Sequence, residues 1–239
     1  MMVRAITFDF WRTLFRDAHS PERQQLRVAT LVRVTGLPEQ RINDALGYTW
    51  AEFNRHHLME QRTLGPEDAV RLTLARLDIQ LDPDAFREAA DAFGYAILQY
   101  PPEPIEGALE AVRAAAERVP VGVISDSGVS PGRALRILLA RNGFAGYFRA
   151  LIFSDEIGVA KPQRPMFETA ARSLGVAPEE MLHIGDLEGT DIAGALNVGA
   201  QAALFLGDAP AACETTRANH VFTSWPEFVS VLPGLVSAS

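Results

Sequence analysis

The stretch AITFDFWRTLF (Ala5–Phe15) begins as an apolar run and sets a single carboxylate, Asp9, at its end. Extended back by two residues it reads VRAITFD (3–9), rich in β-branched side chains, which predicts a buried strand. Similar runs follow at PVGVISD (120–126), ALIFSD (150–155), MLHIGD (181–186) and QAALFLG (201–207). Each precedes a turn, and most precede a helical pattern. Strands alternating with helices predict an α/β fold with a parallel, doubly wound sheet. In such sheets the ligand sits beyond the carboxyl ends of the strands. Four of the runs end on an acid at that address: Asp9, Asp126, Asp155 and Asp186. Core packing gives a strand no reason to finish on a carboxylate, although Asp also serves as a helix N-cap.

Between about 17 and 100 the pattern changes to long helical segments without a convincing strand: PERQQLRVATLVRVTG, QRINDALGYTWAEFNRHHLMEQR, GPEDAVRLTLARLDI and DPDAFREAADAFGYAIL, punctuated by Gly, Pro and Asp. These predict a helical insert. YPPEPIEGA (100–108) is a proline-rich return to the sheet, stiff enough for a hinge strand between two bodies.

Composition narrows the function classes. The chain has 239 residues, 48% of them hydrophobic, enough to bury a real core. Thirty acidic against twenty-two basic residues leave a net charge of -8, without a Lys/Arg run to track a phosphodiester backbone, which argues against nucleic acid as a partner. Cys213 is the single cysteine, so an internal disulfide is excluded and a reducing compartment fits. About 18 uninterrupted apolar residues occur nowhere, nor does a long apolar signal region. The expectation is a soluble, cytoplasmic protein that does not engage a membrane; its oligomeric state is not legible.

FDFWRTLF, a helical insert, VISDSG, GVAKPQRPMF and HIGDLEGTDIAGALNVGA stand in the order and spacing that resemble the haloacid dehalogenase superfamily over nearly the whole chain. The resemblance implies a Rossmann-like three-layer α/β/α core (1–16 and 101–239), an inserted α-helical cap (17–100), an aspartate nucleophile that forms a covalent intermediate, and a small, anionic substrate.

Asp9 is then the candidate nucleophile, since a carboxylate fixed at a strand end can split one displacement into two easier ones. Ser125 stands where the resemblance places a hydroxyl that binds the transferring group. Lys161, between Gly158 and Pro162 in a chain with few lysines, would set an ammonium over the charge of nucleophile and substrate. Asp9 and Asp186, with the backbone carbonyl of Trp11, would form the protein side of a Mg2+ site by resemblance; hard oxygen ligands suit that ion. Asp191 either supports this site or caps its helix. Thr13 is expected to hydrogen-bond within the turn after the first strand. Asp126 stands where many relatives carry Asn; its charge would repel a phosphate, so it is left outside the catalytic set. Glu188 reads as a solvated loop acid. In the insert, His56, His57 and Glu60 fall within one helical turn and make an incomplete metal site, while Tyr48, Trp50 and Phe53 read as core.

Trp11 is the departure. Phosphatases of this family carry Asp two residues after the nucleophile, to protonate the leaving oxygen and later activate water, whereas indole does not ionise usefully. Arg12, where relatives usually carry Gly, is a second departure. Three functions follow: a Mg2+-dependent phosphatase acting through an aspartyl-phosphate but lacking the usual acid; a 2-haloacid dehalogenase, whose halide needs no proton to leave; or a weakly catalytic or non-catalytic binding protein on the same scaffold. GDLEGTD favours the first, because dehalogenases typically carry Ser and Asn there.

Overall fold

The computed structural model describes residues 2–208 and 215–236; Cys213 and the side chains of His57 and Leu58 lie outside the description. Strand β1 (Ala5–Phe8) and the two-residue β2 (Phe15–Arg16) lead into helices α1 (Ser20–Thr35), α2 (Glu39–Glu60), α3 (Pro66–Leu77) and α4 (Pro83–Gln99). The chain returns through β3 (Glu103–Pro104), α5 (Ala108–Ala116), β4 (Val121–Ser125), α6 (Gly132–Arg141), β5 (Phe148–Phe153), α7 (Ser154–Ile157) and α8 (Arg164–Leu174). It finishes with β6 (Met181–Gly185), α9 (Ala193–Asn197), β7 (Gln201–Phe205), β8 (His220–Phe222) and α10 (Trp225–Leu235).

The six-stranded sheet has the order β5-β4-β1-β6-β7-β8, with every neighbouring pair parallel. β1, β4 and β6 are buried along their whole length, as parallel strands covered on both faces must be. The chain winds outward from β1 to β4 and β5, then returns beside β1 and winds the other way through β6. That reversal leaves the crevice in which open α/β sheets bind ligands, at the carboxyl ends of β4, β1 and β6. Asp126, Asp9 and Asp186 are the first residues beyond those ends.

All five expected strands lie in the sheet. β5 ends at Phe153, so Asp155 belongs to α7 and not to a strand end. Its carboxylate accepts from the Ser127 hydroxyl and the Gly132 amide (3.1 Å), tying the β4–α6 loop and the start of α6 to α7. The edge strand β8 was not anticipated: its three residues carry no apolar run.

The helical insert follows its punctuation closely. α4 begins where the Asp82 side chain accepts from the amides of Asp84 and Ala85, with Pro83 at the first position, and α1 stops at Gly36 in the left-handed conformation, φ 68°. The four helices bury their own apolar cluster, including Leu31, Leu46, Val70 and Phe93. Trp50 and Phe53 pack against it as expected, whereas Tyr48 is 45% exposed beneath Arg76 because it faces outward on α2. The insert leaves and re-enters the sheet region side by side, Phe15 pairing with Pro104 and Arg16 with Glu103 in an antiparallel β2–β3 ladder.

α10 fixes the turn after β1. Trp225 stacks on Phe205 (4.3 Å between centroids) and packs on Phe8, and its indole N–H donates to the Thr13 carbonyl at 3.2 Å. Thr13 departs from expectation: among the described residues its buried hydroxyl has no hydrogen-bond partner, and its backbone carbonyl, not its side chain, holds the turn. Among the described residues, none of the helices is long and apolar enough to cross a membrane.

Candidate active site

Three elements converge on Lys161, which follows α7 and is only 2% exposed. Its ammonium donates to Asp9 Oδ1 at 2.6 Å, to Asp191 Oδ1 at 2.6 Å and to the Ile124 carbonyl at 3.3 Å. Its backbone amide donates to Asp126 Oδ1 at 2.9 Å, so the acid set aside in the sequence positions the lysine. A turn of wide, π-type helix, Glu188–Ile192, brings Asp191 inward, where its second oxygen accepts from the Leu187 amide at 3.1 Å. Asp191 therefore touches the site directly, and it does so from within that turn.

Behind Asp191 stands His183, fully buried in β6. Its Nε2 lies 3.0 Å from Asp191 Oδ1 and its Nδ1 2.9 Å from the Thr7 hydroxyl, Thr7 and His183 being register partners across β1 and β6. Burial holds His183 below the usual histidine range despite the attraction of Asp191, so the ring is neutral. An ionised Asp191 can only accept, which assigns the ring proton to Nε2 and makes Thr7 donate to Nδ1.

One ammonium thus serves two buried carboxylates. Burial works against the Lys161 charge, but Asp191, Asp9 and Asp126 outweigh it and hold its pKa above the usual lysine range. Burial would raise Asp191 too; Lys161 and His183 outweigh it and keep Asp191 below the usual carboxylate range. Asp9 lacks the histidine and the loop amide. Burial, with the charges of Asp191 and Asp186, pushes it up to about 8 against the pull of Lys161. Asp186 is pushed up to about 6 by burial and Asp191, relieved in part by Lys161 and Arg12, whose Nε lies 3.5 Å away.

A cavity of about 320 Å³ opens over these groups, lined by Asp9, Trp11, Arg12, Ser127, Lys161, Asp186 and Asp191 on the sheet side and by Phe53, Arg62, Thr63 and Leu64 from the insert. The α2–α3 connection seats on the lysine loop: the Gln61 carbonyl accepts from the Ala160 amide (3.0 Å) and the Gln163 side chain (2.8 Å), and Thr63 donates to Ser154 (2.7 Å). Ser125 is fully buried at the end of β4, with its hydroxyl donating to the Asp126 carbonyl at 3.3 Å, and Ser127 lines the cavity. Glu188 pairs with Thr216 and Arg217, as a loop acid. His56 and Glu60 bond each other at 2.6 Å beside Arg55, and among the described residues no third ligand joins them. Ser127, Arg62 and His183 were missed by the sequence reading. Only His183 carried a signal, a polar residue inside an otherwise apolar strand.

The donor set suits a divalent cation. No group of three or more His, Cys, Asp or Glu among the described residues is arranged to hold a metal ion by itself, but Mg2+ keeps several waters and takes only one or two carboxylates. Asp9 and Asp186 leave adjacent strands, the Asp9 amide donating to the Ile184 carbonyl at 2.8 Å; burial raises both, helped by the charges of Asp191 and Asp186 on Asp9 and of Asp191 on Asp186, and a cation would offset that charge.

Comparison with known proteins agrees. The model of haloacid dehalogenase-like hydrolases matches residues 3–199. A glyceraldehyde 3-phosphate phosphatase of Methanopyrus kandleri is 46% identical over 61 residues, so that the match spans about a quarter (26%) of either chain. An (S)-2-haloacid dehalogenase of Pseudomonas putida is 25% identical over 187 residues, 76% of this chain and 75% of that one. The crystal structure of a 2-haloacid dehalogenase from Pseudomonas syringae superposes with a TM-score of 0.71 at 21% identity, covering 98% of each chain, which attests the shared fold. With its acids gathered around one lysine at the reversal of a parallel sheet, this chain belongs to the haloacid dehalogenase-like hydrolases.

Proposed function

We propose that the protein is a Mg2+-dependent phosphatase that acts on a small phosphorylated metabolite through an aspartyl-phosphate at Asp9. The observation that carries this reading is the clustering of Asp9, Asp186 and Asp191 about Lys161: such an excess of buried negative charge opposes an anionic substrate unless a cation joins it. Asp9 and Asp186, with the carbonyl of Trp11, would hold the ion, which when bound supplies positive charge to the phosphoryl oxygens. Asp9 attacks phosphorus, the bond to the leaving oxygen breaks, and that oxygen departs with the electron pair. Lys161 keeps the Asp9 oxygen in place and offsets charge as it moves outward. Water then adds to phosphorus and frees Asp9, its protons passing to phosphate and solvent. Helices α1–α4 act as the cap that closes this space from water.

Trapping tests the reading. Beryllofluoride or a slowly hydrolysed substrate is expected to label Asp9 in the native protein and to leave Asp9→Asn unlabelled, as read by mass spectrometry of the peptides. Label on another carboxylate removes the proposal.

The second reading, a 2-haloacid dehalogenase, is favoured by Trp11 in the cavity wall and by Arg12, which already supplies a positive charge to Asp186 at 3.5 Å. Halide release from a haloacid with chelator present, without phosphate release from any ester, would select it.

A further inference from the structure

Next to the cavity over Asp9 lies a second one of about 240 Å³, lined by Trp11, Asp17, Arg23, Arg27, Ser127 and Val129 among others. Trp11, Ser127 and Val129 line both. Arg23 and Arg27, one helical turn apart on α1, bring two guanidinium groups to this space, and each is more than nine-tenths buried, at 4% and 7% exposure.

The two arginines differ in what they bind. Arg23 is satisfied: it donates to the carbonyls of Ala18 (2.6 Å) and Tyr100 (2.9 Å) and pairs with the Asp17 carboxylate. Arg27 is not. Among the described residues its Nε is buried without a hydrogen-bond partner, and its Nη2 has the Phe93 carbonyl alone, at 3.5 Å. Among the described residues no carboxylate lies within ion-pair distance of it. The aromatic rings of Trp50 and Phe93 flank its guanidinium at 5.4 and 5.8 Å. Burial and the charge of Arg23 lower its pKa to about 10, against a weaker pull from Asp17, so it remains a cation at neutral pH.

A buried cation with an unpaired donor is poor packing, and a hydrophobic residue of that length would serve the helix interface better. It is well suited to an oxyanion. Arginine offers a planar fork, and the carboxylate is the planar anion that accepts two parallel bonds from it. A second phosphate would ask for donors that Arg23 has already committed. We propose that Arg27 is a specificity residue that binds a carboxylate on the part of the substrate remote from the reacting group, so that the substrates are small phosphate esters or acyl phosphates that also carry a carboxylate. This rests on the phosphatase reading above, with Trp11 as the wall the substrate passes along.

The test uses phenyl phosphate and its 4-carboxymethyl and 4-(2-carboxyethyl) derivatives, with kcat/KM taken as the ratio of each charged ester to the plain one. At least one ratio is expected to be about tenfold or more in the native protein. In both Arg27→Gln and Arg27→Met it falls to about one, circular dichroism confirming that the variants fold. A ratio that stays high in the variants, or is near one in the native protein for both tethers, overturns the proposal. If none of the esters releases phosphate, the phosphatase reading is what has failed, and binding decides the subsite: the Arg27 Nε–H resonance, assigned by its loss in Arg27→Lys, is followed on titration with 3-phenylpropionate. A saturable downfield shift supports a carboxylate subsite, and an unmoved resonance ends it.

Discussion

His183 Nε2 lies 3.0 Å from Asp191 Oδ1, and through that carboxylate the ring bears on the lysine that holds Asp9. His183 touches nothing that reacts; it fixes which oxygen of Asp191 faces Lys161. Its folded pKa lies below the ordinary 6.5 because burial opposes the charged ring. As the pH falls the unfolded chain therefore takes up this proton first. The stability contributed by neutral His183 is complete above about 6.5 and is lost below it. His183→Gln keeps a donor to Asp191 but cannot titrate, so urea unfolding curves should show a shallower loss of stability on acidification than in the native protein. His183→Leu leaves an Asp191 oxygen and Thr7 without this partner, at a cost of about 1–3 kcal/mol near neutral pH. An acid dependence unchanged in His183→Gln would mean that the titration lies elsewhere.

Gly185 supplies the second prediction. A Cβ at this last residue of β6 would stand 2.2 Å from Asp191 Cγ and 2.5 Å from its Cβ, closer than atoms can approach. The Asp191 turn packs directly on the strand only because that side chain is missing. Gly185→Ala should force Asp191 away from Lys161, lower stability by about 1–3 kcal/mol as overpacking does, and reduce turnover far more than substrate binding. At Gly146 none of the described residues beyond its chain neighbours comes within 4 Å of the equivalent position, so Gly146→Ala is the control and should change neither measurement. Equal behaviour of the two variants would show that the close approach is not maintained in solution.

How much of this was legible in the sequence depends on the range of the interaction. Asp9, Asp126 and Asp186 could be placed because an apolar run followed by an acid is a local signal, and a parallel sheet brings the ends of its central strands together whatever loops follow. The helices of the insert were legible because Gly36, Asp82 and Pro83 punctuate them locally. Ser127 and Asp155 were not, since their bond joins residues 28 apart, from the loop after β4 to α7 across the intervening α6 and β5. Arg62 and Thr63 reach the site by the seating of one connection on another, to which no periodicity refers. Thr13 misled because the threonine type suggests a hydroxyl role, while the turn is anchored by its carbonyl on Trp225, 212 residues away.

Metal affinity should move in opposite directions at two neighbouring positions. Asp186→Asn removes one of the proposed ligands and should weaken Mg2+ binding sharply by calorimetry. Arg12 sits in the left-handed region, φ 56°, where a side chain costs roughly 1–2 kcal/mol, and its guanidinium occupies Asp186 from a half-exposed position. Arg12→Gly relieves the backbone and withdraws the competing cation, so Mg2+ should bind more tightly and the protein should be no less stable. Weaker binding in Arg12→Gly would show that Arg12 supports the site instead of competing for it.

The last prediction concerns Trp11, whose indole walls the cavity over Asp9 and meets Phe10 edge to face at 5.1 Å. With tryptophan at the position two after Asp9, that position has no proton to give. General acid assistance typically contributes about 10²–10⁴-fold, which is roughly 3–5 kcal/mol of barrier. Under the phosphatase reading the native protein should therefore prefer leaving groups that depart unprotonated, such as aryl or acyl phosphates, and turn over alkyl phosphates poorly. Trp11→Asp places a carboxyl group at the wall and should improve alkyl esters selectively. The turn should survive the change, because Phe10 remains stacked on Phe15 at 4.5 Å and the Arg12 amide still donates to the Phe15 carbonyl. Trp11→Phe keeps an aromatic wall without adding a proton donor and should leave the aryl-to-alkyl preference as it is. Steady-state rates on a matched aryl and alkyl pair, with Mg2+ present, separate these outcomes. Efficient alkyl hydrolysis by the native protein would place the proton donor elsewhere in the cavity, and equal gains on both esters in Trp11→Asp would trace the change to access and not to acid catalysis.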